Sequence, residues 1–487
     1  MCSFVRGLVV VIVAIVLAVA VSSATARETA LAAKPNIVFI MADDLGREWI
    51  SCYGGGEMKT PHIDALAKTG LRFTNAYSMP KCTPTRVTLL TGQYPFRHGW
   101  TAHWDVPRWG AGVNFDWKHN VSFARVMKSA GYTTAIAGKW QINDFRVQPE
   151  ALQKHGFDEH CMWTGYETGI TASGKRYWDP YVRIGDESKT HRGKFGPDVY
   201  ADFLIDFMKR KKDVPFLAYF PMALPHGPLV ATPLRPEAKG RDERFKAMVE
   251  YVDHLVGRIV KSLDETGIRR KTIVIFTTDN GTSGGMTARL GGVRVRGGKD
   301  KFTDAGAHAP FIVNCPGLVP AGKVIDDLVD FTDMLPTFAE LGGAKLPRGV
   351  TLDGFSIAST ILGRKHDGPK RQWVLAMGPG TMTLKNGRLA SREIPAPRTI
   401  RDRRYKLWRS GGKSTRLVDL LADPHEKKDL LGSADPSAIA ARKRLESILT
   451  SLPPDAPARY EKTPPQPWDR KAGAGGRKAR KRKKNQL

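Results

Sequence analysis

The sequence predicts an α/β protein in which a mixed, mostly parallel sheet lies between helices, followed by a smaller antiparallel α+β domain. Up to residue 365, apolar runs typical of strands buried on both faces alternate with amphipathic helical segments. Beyond it, short strands and turn residues replace that alternation. With 487 residues, 41% of them hydrophobic, the chain is long enough to bury sizeable cores in both domains.

The large domain, residues 34–365, is predicted from strand-like and helix-like segments in turn. Short apolar runs bounded by polar or turn residues are typical of buried parallel strands. They are Asn36–Met41, Thr133–Ala137, Phe216–Phe220 and Lys271–Phe276. Segments with apolar residues at helical spacing lie between them. They are Ile63–Thr69, Val121–Ala130, Ala201–Lys209 and Arg244–Thr266.

The small domain, residues 366–455, shows a different pattern of turn residues and short apolar segments. Lys385-Asn386-Gly387-Arg388 is typical of a hairpin turn, and 404–408 and 416–420 have the pattern of short strands. Residues 438–452 have helical spacing. After Pro453, proline, lysine and arginine dominate, so we expect residues 456–487 to form a basic disordered tail.

Residues 1–26 have the features of a cleaved signal peptide. Arg6 precedes an apolar run over 8–21, and Ala24-Thr25-Ala26 fits a cleavage site made of small residues. The run has 14 residues, which is short for a membrane span, so an uncleaved anchor is the less favoured alternative. We therefore expect export, either to the periplasm or to the medium.

The charge of the chain limits its partners. The net charge is +28, and residues 470–487 hold nine basic residues and no acidic one. This balance favours anionic partners such as sulfated glycans or anionic surfaces. No zinc finger or RNA-binding motif is present, so nucleic acid is not expected. The five cysteines show neither zinc-ligand spacing nor a disulfide framework. Nothing in the sequence indicates the oligomeric state.

Polar residues follow two of the predicted strands directly. Asp43 and Asp44 end the first strand, and Asp279 and Asn280 end the strand that begins near Lys271. Ligands collect at the carboxyl ends of parallel strands, and three carboxylates with one amide oxygen suit Ca²⁺, or Mg²⁺, better than zinc. Each pair alone could equally be ordinary turn residues.

The segment that follows the predicted helix Ile63–Thr69 carries the most specific motif. Cys82-Thr83-Pro84-Thr85-Arg86, followed by Val-Thr-Leu-Leu-Thr-Gly-Gln, resembles the signature of the sulfatase family. In that family a formylglycine-generating enzyme oxidises the cysteine. One hydroxyl of the hydrated aldehyde attacks sulfur, and the other then expels sulfate. The resemblance covers roughly residues 34–450 and implies an alkaline-phosphatase-like fold, with 34–365 as the catalytic domain.

The resemblance also implies roles for individual residues. Asp43, Asp44, Asp279 and Asn280 match the metal ligands, together with the modified residue 82. Lys139 in Gly-Lys-Trp and Lys299 in Arg-Gly-Gly-Lys match sulfate-binding lysines, and Arg86 matches the signature arginine. His226 in Pro-His-Gly-Pro matches the histidine that faces the leaving oxygen, where an imidazolium can donate a proton. Without the other motifs, that histidine could be a loop residue whose ring nitrogens only form structural hydrogen bonds.

Two positions depart from the family pattern. The family usually has histidine two residues after the lysine of Gly-Lys-Trp, where this chain has Gln141. Glutamine forms hydrogen bonds but carries no proton at neutral pH, so proton removal from the nucleophile would fall to another group. The second departure is 304–308, Asp-Ala-Gly-Ala-His, which we interpret as structural.

Two segments could contact the substrate. Trp100, Trp104, Trp109 and Trp117 lie near His98, His103 and Arg108, and such aromatic and basic groups could bind sulfated sugars; buried loop tryptophans are the alternative. Residues 165–192 form a polar insert that could line a pocket. The sequence therefore predicts an exported, Ca²⁺-dependent sulfatase acting on a sulfated carbohydrate or an aryl sulfate. The rival functions are a phosphonate monoester or phosphodiester hydrolase and a non-catalytic polyanion-binding homologue.

Overall fold

A computed structural model describes most of the chain. The described residues are 34–102, 113–164, 171–365, 368–378, 382–385, 388–391, 395–457 and 460–462. The predicted signal peptide lies outside them. Among the described residues, no helix combines the length and the apolar character needed to cross a membrane.

Ten strands form one mixed sheet. They are β1 (Asn36–Ala42), β2 (Leu71–Tyr77), β4 (Thr133–Lys139), β5 (Glu159–Trp163), β6 (Tyr181–Ile184), β7 (Glu187–Thr190), β8 (Phe216–Pro221), β9 (Thr272–Thr278), β12 (His308–Asn314) and β13 (Lys323–Asp330). The order across the sheet is β13-β2-β12-β9-β1-β8-β4-β5-β6-β7. Strands β10 (Thr287–Leu290) and β11 (Val293–Arg296) form a separate antiparallel pair. Five neighbouring pairs are parallel, namely β13/β2, β9/β1, β1/β8, β8/β4 and β4/β5. The mixed, mostly parallel sheet that the sequence predicts is confirmed.

Helices cover both faces of this sheet. They are α1 (Pro61–Lys68), α2 (Cys82–Thr91), α3 (Pro95–His98), α4 (Phe123–Ser129), α5 (Ala151–Lys154), α6 (Gly196–Arg210), α7 (Gly240–Glu265), α8 (Asp304–Ala307), α9 (Met334–Gly342) and α10 (Ala358–Ile361). Short 3₁₀ helices lie at Arg47–Trp49, Ser51–Tyr53, Thr171–Gly174, Arg269–Lys271 and Phe331–Asp333.

The central strand shows why its apolar run is unbroken. Successive side chains of β1 point to opposite faces. Ile37 and Phe39 join the core beside α4 and α9, whereas Val38 and Ile40 join the core beneath α6 and α7. Both faces are fully buried, so both sets of side chains are apolar.

Strand β12 was not predicted from the sequence, because Pro310 interrupts its apolar run. Proline cannot donate a ladder hydrogen bond and normally argues against an interior strand. Here the register of β12 against β2 shifts between Ala309 and Phe311, so the proline sits at a bulge.

The small domain is built on an antiparallel sheet. Its strands are β14 (Val374–Met377), β17 (Arg398–Arg401), β18 (Tyr405–Ser410) and β19 (Lys413–Asp419), in the order β14-β17-β18-β19. Helix α11 (Pro436–Ser451) packs on it through Ala441 and Leu445. β15 (Met382–Lys385) pairs antiparallel with β16 (Arg388–Ser391), and the two central residues of the predicted hairpin turn, 386–387, lie outside the described residues. The boundary at residue 365 stays a prediction.

A buried ion cluster joins the two domains and accounts for residues 304–308. Lys406 Nζ donates to Asp304 at 2.9 Å and to Glu426 at 2.8 Å, while Glu426 also accepts from the Asp304 backbone N–H. His308 Nδ1 lies 2.9 Å from the Asp304 carboxylate. The side chains of Asp304 and His308 are thus engaged in structural contacts, as interpreted from the sequence.

The chain end is ordered further than predicted. We expected disorder from residue 456, but β20 (Tyr460–Lys462) pairs antiparallel with β3 (Val113–Phe115), and the Ala456 N–H donates to Phe96. Among the described residues β3 pairs with no other strand, so its pairing with β20 could not be inferred from composition alone. The basic residues beyond 462 lie outside the described part of the chain.

Candidate active site

Four adjacent parallel strands end at one edge of the sheet and supply most of the predicted site. In the order β9-β1-β8-β4, they are followed or ended by Asp279, Asp43, the loop carrying His226, and Lys139. Strand β2 runs in the same direction, because it is antiparallel to β12, which is antiparallel to β9. The chain leaving β2 brings Cys82 to the same edge.

Cys82 begins helix α2 and is 2% exposed. All ten residues of that helix are buried, and Gly92 ends it in the left-handed conformation that glycine adopts without strain. Backbone N–H groups at a helix N-terminus favour bound anions, which suits a nucleophile that attacks a sulfate ester. Cys82 Sγ and one oxygen each of Asp43 and Asp279 lie within 4.8 Å of one another.

Asp43 is held by two cations. Lys139 Nζ donates to its Oδ2 at 2.7 Å, and Arg86 Nη2 lies 3.7 Å from its Oδ1. Arg86 Nη2 also donates to Asp279 at 2.8 Å, and Nη1 donates to the Lys139 carbonyl at 3.1 Å. Arg86 is therefore a brace between β4, β9 and the helix that carries Cys82.

Asp44 is the centre of a second set of contacts. Its carboxylate accepts from Lys299 Nζ at 2.7 Å and from Asn280 Nδ2 at 2.8 Å, and His226 Nε2 lies 3.6 Å away. Its backbone N–H donates to Asp279 Oδ1 at 3.1 Å. Asp44 has a φ of 65°, a strained value for a non-glycine residue that is typical of functional sites.

Burial and neighbouring charges act on the carboxylates in opposite directions. Burial alone would raise the pKa of Asp43, but Lys139, His226, Arg86 and Lys299 together hold it well below its usual range. Burial and repulsion from Asp43 raise the pKa of Asp279 well above its usual range, against the attraction of Arg86. Such opposed pairs are typical of sites that bind cations or move protons.

The residues present fit a hard cation. Asp43 Oδ1 and Asn280 Oδ1 are buried and accept no hydrogen bond from the residues that the structure describes, although such acceptors are costly to bury. Asp43, Asp44 and His226 each bring one ligand atom within 4.8 Å of the others. The oxygen donors on Asp43, Asp44, Asp279 and Asn280 suit Ca²⁺ or Mg²⁺.

His226 stands at the opening of the site, with 28% of its side chain exposed. Its Nδ1 lies 2.7 Å from the Gly227 carbonyl, a contact that requires Nδ1–H and leaves Nε2 facing Asp44. Burial lowers the pKa of His226, and the attraction of Asp43 only partly offsets this. Tyr177 fixes the loop, since its hydroxyl lies within hydrogen-bond distance of the carbonyls of both Ala223 and His226 and shares its one hydrogen between them.

Gln141 lies just beyond the end of β4. It is buried and has a φ of 66°, so its backbone is as strained as that of Asp44. Only one residue separates it from Lys139, which binds Asp43. The side chain that replaces the family's usual histidine therefore lies two residues after the predicted sulfate-binding lysine.

Comparison with known proteins identifies the family. The sulfatase family model matches residues 35–344. Arylsulfatase A from Homo sapiens is 30% identical over 467 residues, which cover 88% of this chain and 90% of that protein. The chain belongs to the sulfatase family. N-acetylgalactosamine-6-sulfatase from Canis lupus familiaris is 31% identical over 352 residues, covering 68% of this chain and 66% of that protein.

A solved structure supports the same assignment. The crystal structure of Ps i-CgsB in complex with k-i-k-neocarrahexaose matches with a TM-score of 0.69 and 25% identity, covering 85% of this chain and 92% of that one. The expected family and alkaline-phosphatase-like fold are confirmed, and this sulfatase is a sulfuric ester hydrolase. Members of the family are generally metal-dependent, and the acidic cluster around Asp43 is compatible with that.

The structure brings all the predicted site residues to one edge of the sheet, and it adds one that sequence reasoning missed. Arg176, on the 165–192 insert, places Nη1 3.3 Å from His226 Nδ1. No motif marks it; only its position in a polar insert could have drawn attention.

The aromatic segment does not support the predicted substrate contact where it is described. Trp100 and His98 are fully buried in the core, so the alternative of buried loop residues holds for them. Trp117 is partly buried and packs against the same core. Trp104, Trp109, His103 and Arg108 lie outside the described residues.

Proposed function

We propose that this sulfatase cleaves sulfate esters of carbohydrates with formylglycine made from Cys82 and with Ca²⁺ held by Asp43, Asp44, Asp279 and Asn280. The observation that carries the proposal is the convergence of Cys82, three carboxylates, two lysines, one arginine and one histidine at one edge of the sheet. Two buried acceptor oxygens, on Asp43 and Asn280, support the cation, because a cation would satisfy both.

Formylglycine at residue 82 and Ca²⁺ would supply the central chemistry. Hydrated formylglycine would supply one hydroxyl to attack sulfur and a second whose deprotonation would expel sulfate, and Ca²⁺ would supply positive charge for the sulfuryl oxygens. The export of the chain and its maturation by a formylglycine-generating enzyme belong to the same proposal.

The chain's own residues bind and orient the ester. Lys139 and Lys299 provide point charges for the non-bridging oxygens of the sulfate. Both lie in the site, because the Nζ of Lys139 is 2.7 Å from Asp43 and that of Lys299 is 2.7 Å from Asp44. Arg86 holds Asp43 and Asp279 in place beside residue 82. These groups stabilise charge that develops on the sulfuryl oxygens.

His226 is the proposed general acid. The Gly227 carbonyl holds Nδ1–H and so directs Nε2 to the leaving oxygen, where a proton is needed as the S–O bond breaks. Gln141 orients the nucleophile by hydrogen bonding and does not accept its proton. We assign that proton to Asp279, which has a carboxylate oxygen within 4.8 Å of Cys82 Sγ.

A carbohydrate substrate is proposed from two relatives. One is named for the 6-sulfate of N-acetylgalactosamine, and the solved structure holds k-i-k-neocarrahexaose. The large net charge of +28 favours polyanionic glycans as well.

The proposal is tested by mass and turnover together. In active protein the peptide carrying residue 82 should be lighter than its cysteine form by about 18 Da, the difference between a thiol and an aldehyde side chain. Cys82→Ala should fold and lose turnover. Active protein holding only unmodified cysteine would contradict the mechanism.

Matched sulfate, phosphate diester and phosphonate monoester substrates separate the rival functions. Faster turnover of the phosphorus esters would favour a phosphonate or phosphodiester hydrolase. Binding of sulfated polymers without any turnover by the modified protein would favour the non-catalytic homologue.

A further inference from the structure

One buried arginine lacks the partner that the others have. Seven arginines are buried in the described part of the chain: Arg86, Arg176, Arg183, Arg269, Arg371, Arg398 and Arg401. Six of them donate to a carboxylate, amide, hydroxyl or carbonyl oxygen. Arg176, which is 5% exposed, has no oxygen acceptor among the described residues, and its Nε has no hydrogen-bond partner there.

The contact between Arg176 and His226 does not replace such a partner. His226 Nδ1 lies 2.7 Å from the Gly227 carbonyl and 3.3 Å from Arg176 Nη1. A carbonyl can only accept, so Nδ1 must carry hydrogen toward Gly227. It then has no lone pair to offer to the guanidinium, which is left without an acceptor.

The surroundings hold the guanidinium in place. Its Cζ lies 4.0 Å from the centroid of the Trp163 ring, and the next residue, Tyr177, is anchored by its hydroxyl to the carbonyls of Ala223 and His226. Stacking on tryptophan leaves the edges of the planar group available for hydrogen bonds. A buried cation without a counter-charge is costly, and an anionic ligand would remove that cost.

We propose that Arg176 determines specificity by binding a second anionic group of the substrate, a carboxylate or another sulfate on the sugar that leaves. The proposal rests on the proposed function, because His226 marks the leaving-group side only if it acts as the general acid. Arg176 lies directly beside His226, so an oxyanion there belongs to the leaving sugar and not to the scissile sulfate. A guanidinium fork matches both a carboxylate and a sulfate.

The test compares three substrates that share one sugar scaffold: a neutral-sugar monosulfate, the corresponding disulfate and a uronic-acid monosulfate. The wild type should have a higher kcat/KM for one dianionic substrate than for the monosulfate. Arg176→Gln should reduce that preference roughly 10- to 100-fold, mainly through KM, as loss of a charge-assisted hydrogen bond predicts. The substrate most affected distinguishes a second sulfate from a carboxylate. Arg176→Lys, which keeps the charge without the fork, should retain part of the preference.

The matched control is Arg183→Gln. Arg183 is buried to a similar extent but donates to Asp186 on an exposed turn. It should leave the preference as in the wild type. The proposal is overturned by a wild type that shows no preference, by equal losses for all three substrates in Arg176→Gln, or by the same selective loss in Arg183→Gln.

A binding measurement separates this proposal from the catalytic one. Calorimetric titration of the dianionic sugar into Cys82→Ala should show binding that Cys82→Ala/Arg176→Gln weakens by the same roughly 10- to 100-fold. If the modified wild type hydrolyses no sulfate ester but this difference persists, the proposed function fails and the Arg176 subsite stands. Equal binding by both variants overturns the subsite whatever the turnover.

Discussion

Replacing Asp279 by asparagine should separate cation binding from fold stability. In the structure, Asp279 Oδ2 accepts from Arg86 at 2.8 Å and Oδ1 accepts from the Asp44 N–H at 3.1 Å. An amide has only one acceptor oxygen, so Asp279→Asn leaves one of these buried donors unsatisfied. The metal-free variant should therefore lose about 1–3 kcal/mol of unfolding free energy.

The response to calcium is a separate quantity. Calcium at 100 times its Kd should stabilise the wild type by about 2.7 kcal/mol. At an unfolding entropy of about 2.1 cal/mol/K per residue, this is a rise in Tm of about 3 °C. The variant loses one of three charged ligands. If its affinity falls about 100-fold, the same calcium concentration stabilises it by only about 0.4 kcal/mol.

Thermal unfolding of chelated protein with and without added Ca²⁺ measures both effects without any substrate. Asp333→Asn is the matched control, because Asp333 also joins a buried arginine, Arg371, to backbone N–H groups. It should lose stability and keep the full calcium response. An undiminished response in Asp279→Asn would refute the ligand assignment.

Further predictions concern the acid, the glutamine, the chain end and pH. His226→Ala should slow alkyl sulfates about 10²–10⁴-fold and activated aryl sulfates much less, because only poor leaving groups need the proton; equal losses in steady-state assays would rule out the acid role. Gln141→Ala should cost about 1–3 kcal/mol in kcat/KM, and Gln141→His should keep turnover and add an ionisation near neutrality to the pH–rate profile; a sulfated adduct that accumulates in the wild type and is released by Gln141→His would instead show that glutamine blocks the second step. Truncation after Lys462 should preserve aryl sulfatase activity but weaken retention on a sulfated polymer, most clearly at low salt; lost activity would place the tail in the site. Burial lowers the pKa of His98 to about 3. The unfolded state takes up this proton below about pH 6.5, whereas the folded state takes it up only near pH 3. The free energy of unfolding should therefore fall by about 1.4 kcal/mol for each pH unit between these two values, and His98 should cost no stability above about pH 6.5. Denaturation at several pH values should show a shallower decline for His98→Asn, and identical slopes would contradict the prediction.

The sequence predicted what local pattern and motif determine. The apolar run of β1 predicts a strand buried on both faces, and the acidic residues directly after it predict a ligand site at the carboxyl end of that strand. Both interpretations follow from local sequence alone. Helix starts were less accurate: α6 begins at Gly196, not at Ala201, since Pro197 at the first turn and Asp198 carry no apolar signal. Arg176 could not be predicted, because its proposed role depends on the lack of an oxygen acceptor near its guanidinium among the described residues. The sequence does not show which groups surround a buried side chain.

The position of β1 has a consequence for the order of events during synthesis. The first strand of the described residues lies in the middle of the sheet, and its neighbours β8 and β9 emerge from the ribosome long after Cys82 does. Once those strands dock, Cys82 is enclosed and 2% exposed. The oxidation that we propose must therefore act on the nascent or unfolded chain. The fraction of chains in which Cys82 is oxidised therefore depends on the rate of oxidation relative to the rate at which the sheet forms. Slower folding would raise the fraction of active protein.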